Sequence, residues 1–198
     1  MGNIFYLMGK SSSGKDTIYR KLLTRKELGL QRVVPYTTRP IREGEEHGKE
    51  YFFIDDNEVE TLTAQGAIIE LRAYHTCHGI WKYMTVNDAV LQDENSDCLM
   101  IGTLEAYEKM IEFFGPGKVV PIMVVLDDGV RLQRALNRER KQENPKYEEL
   151  CRRFLADAQD FSDEKLQNAG ISRFYENRDL EKCVNEIADM ILSKRKES

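Results

Sequence analysis

With 198 residues, 41% of them hydrophobic, the chain can bury one proper core with smaller lobes, and a second independent domain would leave both cramped. A formal net charge of -5 argues against a general nucleic-acid or membrane-surface binder, which needs a basic field. A phosphate ligand is still allowed, because charges beyond about 8 Å are largely screened at physiological salt and a few well-placed cations decide locally.

The first expected element is a strand over Ile4, Phe5, Tyr6, Leu7 and Met8, followed by the loop GKSSSGKDT from Gly9 to Thr17 and a helix opening at Thr17. Gly9 and Gly14 can adopt backbone angles closed to other residues, so the loop can turn successive N–H groups inward where a helix N-terminus adds its positive end. Such a pocket suits a phosphate chain, with Lys15 as a point charge on the outer phosphates. The G-x-x-x-x-G-K-[ST] pattern fails at its last position: Asp16 stands where a hydroxyl should ligate Mg²⁺, with Thr17 one place late. A carboxylate also ligates Mg²⁺, so Asp16 is expected to hold the ion directly or through water. The expected ATP-binding set is Gly9, Ser11, Ser12, Ser13, Gly14, Lys15, Asp16 and Thr17, with Asp16 and Thr17 toward the metal.

The helix behind the loop carries Ile18, Leu22 and Leu23 and fades at Gly29. A short strand is expected from Arg32 to Tyr36, with Pro35 at an end or edge. The polar stretch TTRPIREGEEHGKEYFFI follows, in which Arg39 and Arg42 offer two guanidiniums from one loop. Those forks match phosphate oxygens, and they equally match Glu43, Glu45 and Glu46 in ordinary surface pairing. Asp55 or Asp56 caps a helix to Gln65, and Ala67 to Tyr74 reads as a strand in which Glu70, by alternation, is the solvent side. His75, Cys77 and His78 lie at spacings unlike a ligand set.

Trp81 to Thr85 is a further strand, Asn87 caps a short helix, Cys98 to Gly102 reads as a central parallel strand, and Thr103 caps a helix to Phe114. Val119 to Leu126 is the next strand, with Asp127 and Asp128 as caps for a helix carrying Arg131, Arg134 and Arg138 on one face. Arg131 has Asp127 and Asp128 within reach; Arg134 and Arg138 have no acidic residue one turn away, a gap that an anion or plain solvation would fill. Asn144 and Pro145 restart a helix bearing Arg152 and Arg153, Ile171 to Tyr175 is a last strand, and Asp179 caps a closing helix. Alternating strand and helix imply a parallel sheet with helices on both faces and a ligand at the carboxyl ends of the strands. Four scattered cysteines fit reduced thiols in a cytoplasm, and neither a secretory leader nor a membrane-length apolar run is evident.

Taken together, GKSSSGKDT, TTRPIREGEEHGKEY, the arginine helix and the late ENRDL resemble the guanylate kinases over nearly the whole chain. The resemblance implies an α/β, P-loop NTPase three-layer sandwich with a central parallel sheet, an inserted acceptor-binding subdomain and a helical lid. The core would cover about 1–34, 96–130 and 155–198, the insert about 35–95 and the lid about 131–154. It further implies transfer from ATP to GMP with Mg²⁺, in a monomer or homodimer binding small molecules, not nucleic acid or membrane. By motif, Thr38, Arg39, Arg42, Glu45 and Tyr51 would surround the acceptor phosphate, Glu70 would hold the guanine edge, and Lys15, Arg134, Arg138 and Arg153 would act on the transferring group. The departures concentrate at the acceptor site: hydroxyls that similar enzymes aim at guanine O6 are matched by Pro35 and Ile80, a phosphate-binding Tyr by His78, and an acid by Gly102 or Thr103. Asp16 with Gly102 and Thr103 also resembles the ribose 1,5-bisphosphate phosphokinases, while guanylate-kinase-like scaffold modules, which bind phosphopeptides, are a non-catalytic alternative.

Overall fold

The computed structural model describes residues 2–76 and 79–197. β1 (Ile4–Met8) leads through the glycine loop to α1 (Lys15–Thr24), and a single tight turn, Lys26–Leu28, ends at Gly29. β2 (Gln31–Arg32) is short: Val33 still donates to the Leu99 carbonyl at 3.1 Å, and Pro35, with no N–H to give, lies where the chain leaves the sheet. The single strand expected from Arg32 to Tyr36 is therefore two, and β3 (Tyr36–Thr37) belongs to another sheet. β4 (Phe52–Phe53) pairs with β3, and α2 (Asp56–Ala64) starts at a capping box in which Asp55 and Glu58 each bond the other's backbone.

β5 (Ile68–Thr76) and β6 (Gly79–Val86) form a long antiparallel ribbon completing this second sheet, of order β4-β3-β6-β5. α3 (Ala89–Gln92) is capped by Asp88 rather than Asn87, whose N–H is already given to Ala67 at the ribbon's base. β7 (Cys98–Ile101), α4 (Leu104–Phe114) with its Thr103 cap, β8 (Val119–Val125) and α5 (Asp128–Glu139) with its Asp127 cap follow. α6 (Tyr147–Asp160) begins past the expected Asn144–Pro145 start, because the Glu139 carboxylate takes the Lys146 N–H and the first turn forms on Lys146. α7 (Asp163–Asn168), capped by Ser162, was not expected; Ile171 bonds back to Leu166 to close it, so β9 (Phe174–Glu176) starts later than Ile171. α8 (Leu180–Glu197) closes the chain, with Asp179 accepting the Lys182 N–H.

The central sheet has the order β2-β7-β1-β8-β9 and is parallel throughout. Every residue of β1 is buried, and the period of two sends Ile4, Tyr6 and Met8 to one face and Phe5 and Leu7 to the other. Leu104, Tyr107 and Met110 of α4 cover the first face; Ile18 and Leu22 of α1 with Val184, Ile187 and Ile191 of α8 cover the second. Three layers result. Leu7, with no exposed surface, sits among these helices, and cutting it to Ala would cost about 2–5 kcal/mol. This rigid middle brings the carboxyl ends of β1, β7 and β8 to one edge, where the glycine loop, Gly102–Thr103 and Asp127 leave the sheet.

Candidate active site

The loop after β1 is shaped for a close approach. Gly14 caps α1 in the left-handed region at φ 91°, and a Cβ there would meet Asn177 Nδ2 at 2.2 Å. Asn177, buried on the loop after β9, donates to the Ser13 carbonyl at 2.7 Å and so fixes that peptide. Ser12 also has positive φ, 62°, a strain of roughly 1–3 kcal/mol tolerated where the surroundings over-determine it. Lys15 opens α1, its Nζ 3.8 Å from the Asp16 carboxylate, so cation and helix terminus coincide.

The loop is braced from α5 and α6. Arg131, 2% exposed, donates from Nε to the Ser11 carbonyl at 2.9 Å and from Nη2 to Asp157 at 2.7 Å, and it also holds Asp128. Asp157 in turn accepts the Ser11 N–H at 2.8 Å and the Ser11 hydroxyl at 3.2 Å. Arg131 thus leaves the arginine face expected for it and becomes an internal anchor, its guanidinium 5.2 Å from the Phe154 ring. Arg134 reaches the loop, with Nη1 3.7 Å from the position of a Gly14 Cβ, and Arg138 Nη2 lies 3.4 Å from the Ser12 hydroxyl. Arg153 lines a small pocket with Ser11, Ser12 and Arg138; its Nε is buried without a hydrogen bond, the Glu149 carboxylate lying 3.6 Å off.

A cleft of about 910 Å³ runs from Lys15 and Asp16 to Glu70, walled by Pro35, Tyr51, Tyr74 and Tyr83 on one side and by Glu149 and Arg152 of α6 on another. Near it Arg39, 3% exposed, forms a two-bond fork with Glu45 at 2.8 and 2.9 Å and lies 5.3 Å over the Tyr51 ring. The fork holds the Glu45 carboxyl below the usual carboxylate range, against some opposition from burial, and Glu45 also accepts the Arg42 N–H at 2.9 Å. Arg42 is exposed, and Thr38 is used in the sheet, its hydroxyl accepting the Lys82 N–H at 2.9 Å. His78, expected at the acceptor, lies outside the described residues, as does Cys77.

Glu70 is not on the solvent side. It is 6% exposed, forked by Arg72 at 2.9 and 3.2 Å and bonded by the Thr85 hydroxyl at 2.8 Å. A register shift between Ile68 and Glu70 breaks the alternation that the strand pattern assumed. Arg72 continues to the Thr103 hydroxyl at 3.2 Å; burial is the largest single influence on its charge and opposes it, but the attraction and hydrogen bonds of Glu70, with smaller contributions from Tyr74 and Tyr6, together outweigh burial, so its pKa rises. Next to it, Gly102 carries no side chain for a plain reason: a Cβ would lie 2.0 Å from the Tyr6 hydroxyl, which donates to the Thr103 carbonyl at 3.1 Å. Arg72, Asp157 and Tyr6 escaped the sequence reading as site residues, and Asn177 entered it only within ENRDL, with no role of its own; the Glu-x-Arg spacing of Glu70 and Arg72, which share one strand face, was the available signal for the first.

Among the described residues no three His, Cys, Asp or Glu side chains gather as a metal site. The exposed Asp16 carboxylate at the head of α1 fits the other way of holding Mg²⁺, in which one carboxylate shares the ion with substrate phosphates and water.

The crystal structure of guanylate kinase from Anaplasma phagocytophilum superposes with a TM-score of 0.62 at 24% identity, over 98% of this chain and 86% of that one, and so has the same P-loop α/β fold. The Neisseria gonorrhoeae guanylate kinase is 45% identical over 69 residues, 35% of this chain, and the matched stretch spans about a third of that relative's length, 33%. The Syntrophomonas wolfei guanylate kinase is 35% identical over 114 residues, 55% of this chain and 56% of that relative. The model of the guanylate kinase family matches residues 1–194, and the chain belongs to that family.

Proposed function

We propose that the protein transfers the γ-phosphoryl group of ATP to a nucleoside monophosphate, GMP giving GDP. The observation that carries this is the approach of Arg134, Arg138 and Arg153 to the glycine loop, whose Lys15 and Asp16 open onto the cleft that Glu70 lines. An oxygen of the acceptor phosphate attacks the γ-phosphorus while its bond to the β,γ-bridging oxygen breaks and ADP leaves. Such a transfer needs positioning and charge neutralisation more than a base, and positioned arginines are worth ~10³- to 10⁵-fold. The loop N–H groups and Lys15 hold the triphosphate, and Arg134, Arg138 and Arg153 meet the charge that spreads over the transferring oxygens. Arg39, backed by Glu45 and Tyr51, holds the acceptor phosphate with Arg42 beside it. Asp16, with Thr17 next to it, would hold Mg²⁺, which supplies further neutralisation of the triphosphate.

Residues about 131–154 act as the lid, about 35–95 as the acceptor-binding insert, and the rest as core. No helix among the described residues is long and apolar enough to cross a membrane, Cys98, Cys151 and Cys183 carry free thiols, and a cytoplasmic monomer or homodimer fits both. A second reading, a sugar bisphosphate acceptor, draws on the cation Arg72 at the far end of the cleft. ADP release from Mg-ATP with GMP, dGMP, AMP, CMP, UMP, dTMP and ribose 1,5-bisphosphate, against Lys15→Ala as blank, separates them. GMP leading by orders of magnitude is the expected result; release with the sugar bisphosphate alone would replace the reading, and failure to bind an ATP analogue would favour a non-catalytic module.

A further inference from the structure

The hydroxyls expected to contact guanine O6 are absent at Pro35 and Ile80, and Ile80 is 52% exposed on the ribbon. What the cleft offers in that neighbourhood is a guanidinium. Arg72 lines the same cleft as Pro35, Glu70, Thr85 and Thr103, and it is held from two sides: Nε and Nη2 on the Glu70 carboxylate, Nη1 on the Thr103 hydroxyl. A guanidinium has five N–H bonds, and these three contacts use three. One N–H on each Nη atom is left, so both terminal nitrogens keep a donor for paired acceptors such as O6 and N7 of guanine. We propose that Arg72 is the specificity-determining residue of the acceptor site, reading O6 and N7 of the base, and that the acceptor class is the 6-oxopurine nucleoside monophosphates, IMP as well as GMP. The proposal rests on the kinase reading above.

The Glu70 contacts favour a base carbonyl over a second phosphate. The carboxylate forks Arg72 directly, so the pair is close to neutral and a dianion placed there would face Glu70 at short range. The walls are aromatic, with Tyr51, Tyr74, Trp81 and Tyr83 around the cleft, surfaces suited to a flat ring rather than to a sugar phosphate. Glu70 is also largely spent. One of its oxygens takes both the Thr85 hydroxyl and Arg72 Nη2, the other takes Arg72 Nε, so it has one free lone pair for a purine N1–H or 2-amino group. Discrimination by the 2-amino group is therefore weak, and discrimination at position 6 is strong. AMP presents an amino donor to the Arg72 donors and is rejected.

The test measures kcat/KM with Mg-ATP for GMP, IMP, AMP and 7-deaza-GMP on the wild type, then GMP and AMP on Arg72→Lys, which keeps a cation for Glu70 but not the fork. IMP is expected within about tenfold of GMP, 7-deaza-GMP about tenfold or more below it, and Arg72→Lys should shrink the GMP/AMP preference by about 5- to 150-fold. Loss of the fold in the variant is checked by thermal melting, and the wild-type analogue series stands without it. If GMP is phosphorylated but 7-deaza-GMP matches it and the GMP/AMP ratio survives Arg72→Lys, the role of Arg72 is overturned and the kinase stands. If IMP falls several orders of magnitude below GMP, the substrate class is wrong. If no purine nucleotide is phosphorylated but ribose 1,5-bisphosphate is, the nucleotide reading itself falls, and with it this one.

Discussion

Around the glycine loop, Lys15, Arg134 and Arg138 have little to hold them, whereas in the second-sheet lobe two guanidiniums, Arg72 in the cleft and the buried Arg39 near it, each grip a carboxylate with two hydrogen bonds. Lys15 has Asp16 at 3.8 Å, Arg138 has a hydroxyl at 3.4 Å, and Arg153 has a buried Nε with no hydrogen bond. Arg39 and Arg72 are forked by Glu45 and Glu70. Under the proposed kinase function the difference separates two tasks. A site for transferring charge needs cations whose hydrogen bonds are unspent until the anion arrives. A site for selecting an acceptor needs donors whose directions are fixed beforehand, and a carboxylate behind each guanidinium does that at the cost of some of its charge.

The largest effect expected from this contrast is at the unspent end. Lys15→Ala should lower phosphoryl transfer by about 10²- to 10³-fold or more and weaken binding of a fluorescent ATP analogue, with the melting temperature nearly unchanged because only the long contact to the exposed Asp16 is lost. An ATP affinity that survives the change would refute the role of the loop. Arg39→Ala comes next and should differ in kind. It removes the fork proposed for the acceptor phosphate and also strands Glu45, so the acceptor KM should rise about 100-fold, ATP-analogue binding should stay, and the protein should melt earlier. Equal losses at both substrates would mean that the two ends are not separate.

Asp157→Asn tests the brace behind the glycine loop. It keeps the shape of the side chain while removing the charge that holds Arg131 and the Ser11 N–H. About tenfold in kcat/KM for ATP should go, with the acceptor KM unmoved. A variant with both constants intact would leave the Arg131–Asp157 contact as packing alone.

The geometry of the glycine loop was largely legible in the sequence, because its physics is local: glycine spacing and a helix start within nine residues set the strand, turn and helix. The Glu70 end of the cleft was legible only as a motif. Glu70 looked solvent-facing because strict alternation ignores a register shift; its partner Thr85 is brought to it by the β5–β6 pairing, while Arg72 stands two residues along the same strand. Asp157 lies 146 positions from Ser11, a separation no periodicity reveals. The helix α7 was missed since six residues make less than two turns and leave no periodic trace. Pro35 was read correctly as an edge signal, yet what it marks is the crossing from one sheet to the other.

The smallest effect is also the one that most directly asks whether the acceptor-end carboxylates are structural. Glu45 is held below the ordinary glutamate range chiefly by its hydrogen bonds to Arg39, with the Arg42 N–H adding to that. A carboxylate whose folded pKa is depressed stabilises the fold fully above its unfolded value, about 4.3, and loses that contribution as pH falls through the lower folded value. Glu45→Gln keeps one oxygen for Arg39 and cannot titrate, so at neutral pH it should be less stable by about 1–2 kcal/mol. Urea midpoints taken from pH 7 downward should show a constant gap between wild type and variant until about pH 5, then a closing gap below pH 4. A gap that persists at pH 3 would mean the fork contributes through shape rather than charge. A gap that opens only as pH rises through neutrality would assign the effect to another group, and the pre-paired character of the acceptor end would then rest on Arg72 and Glu70 alone.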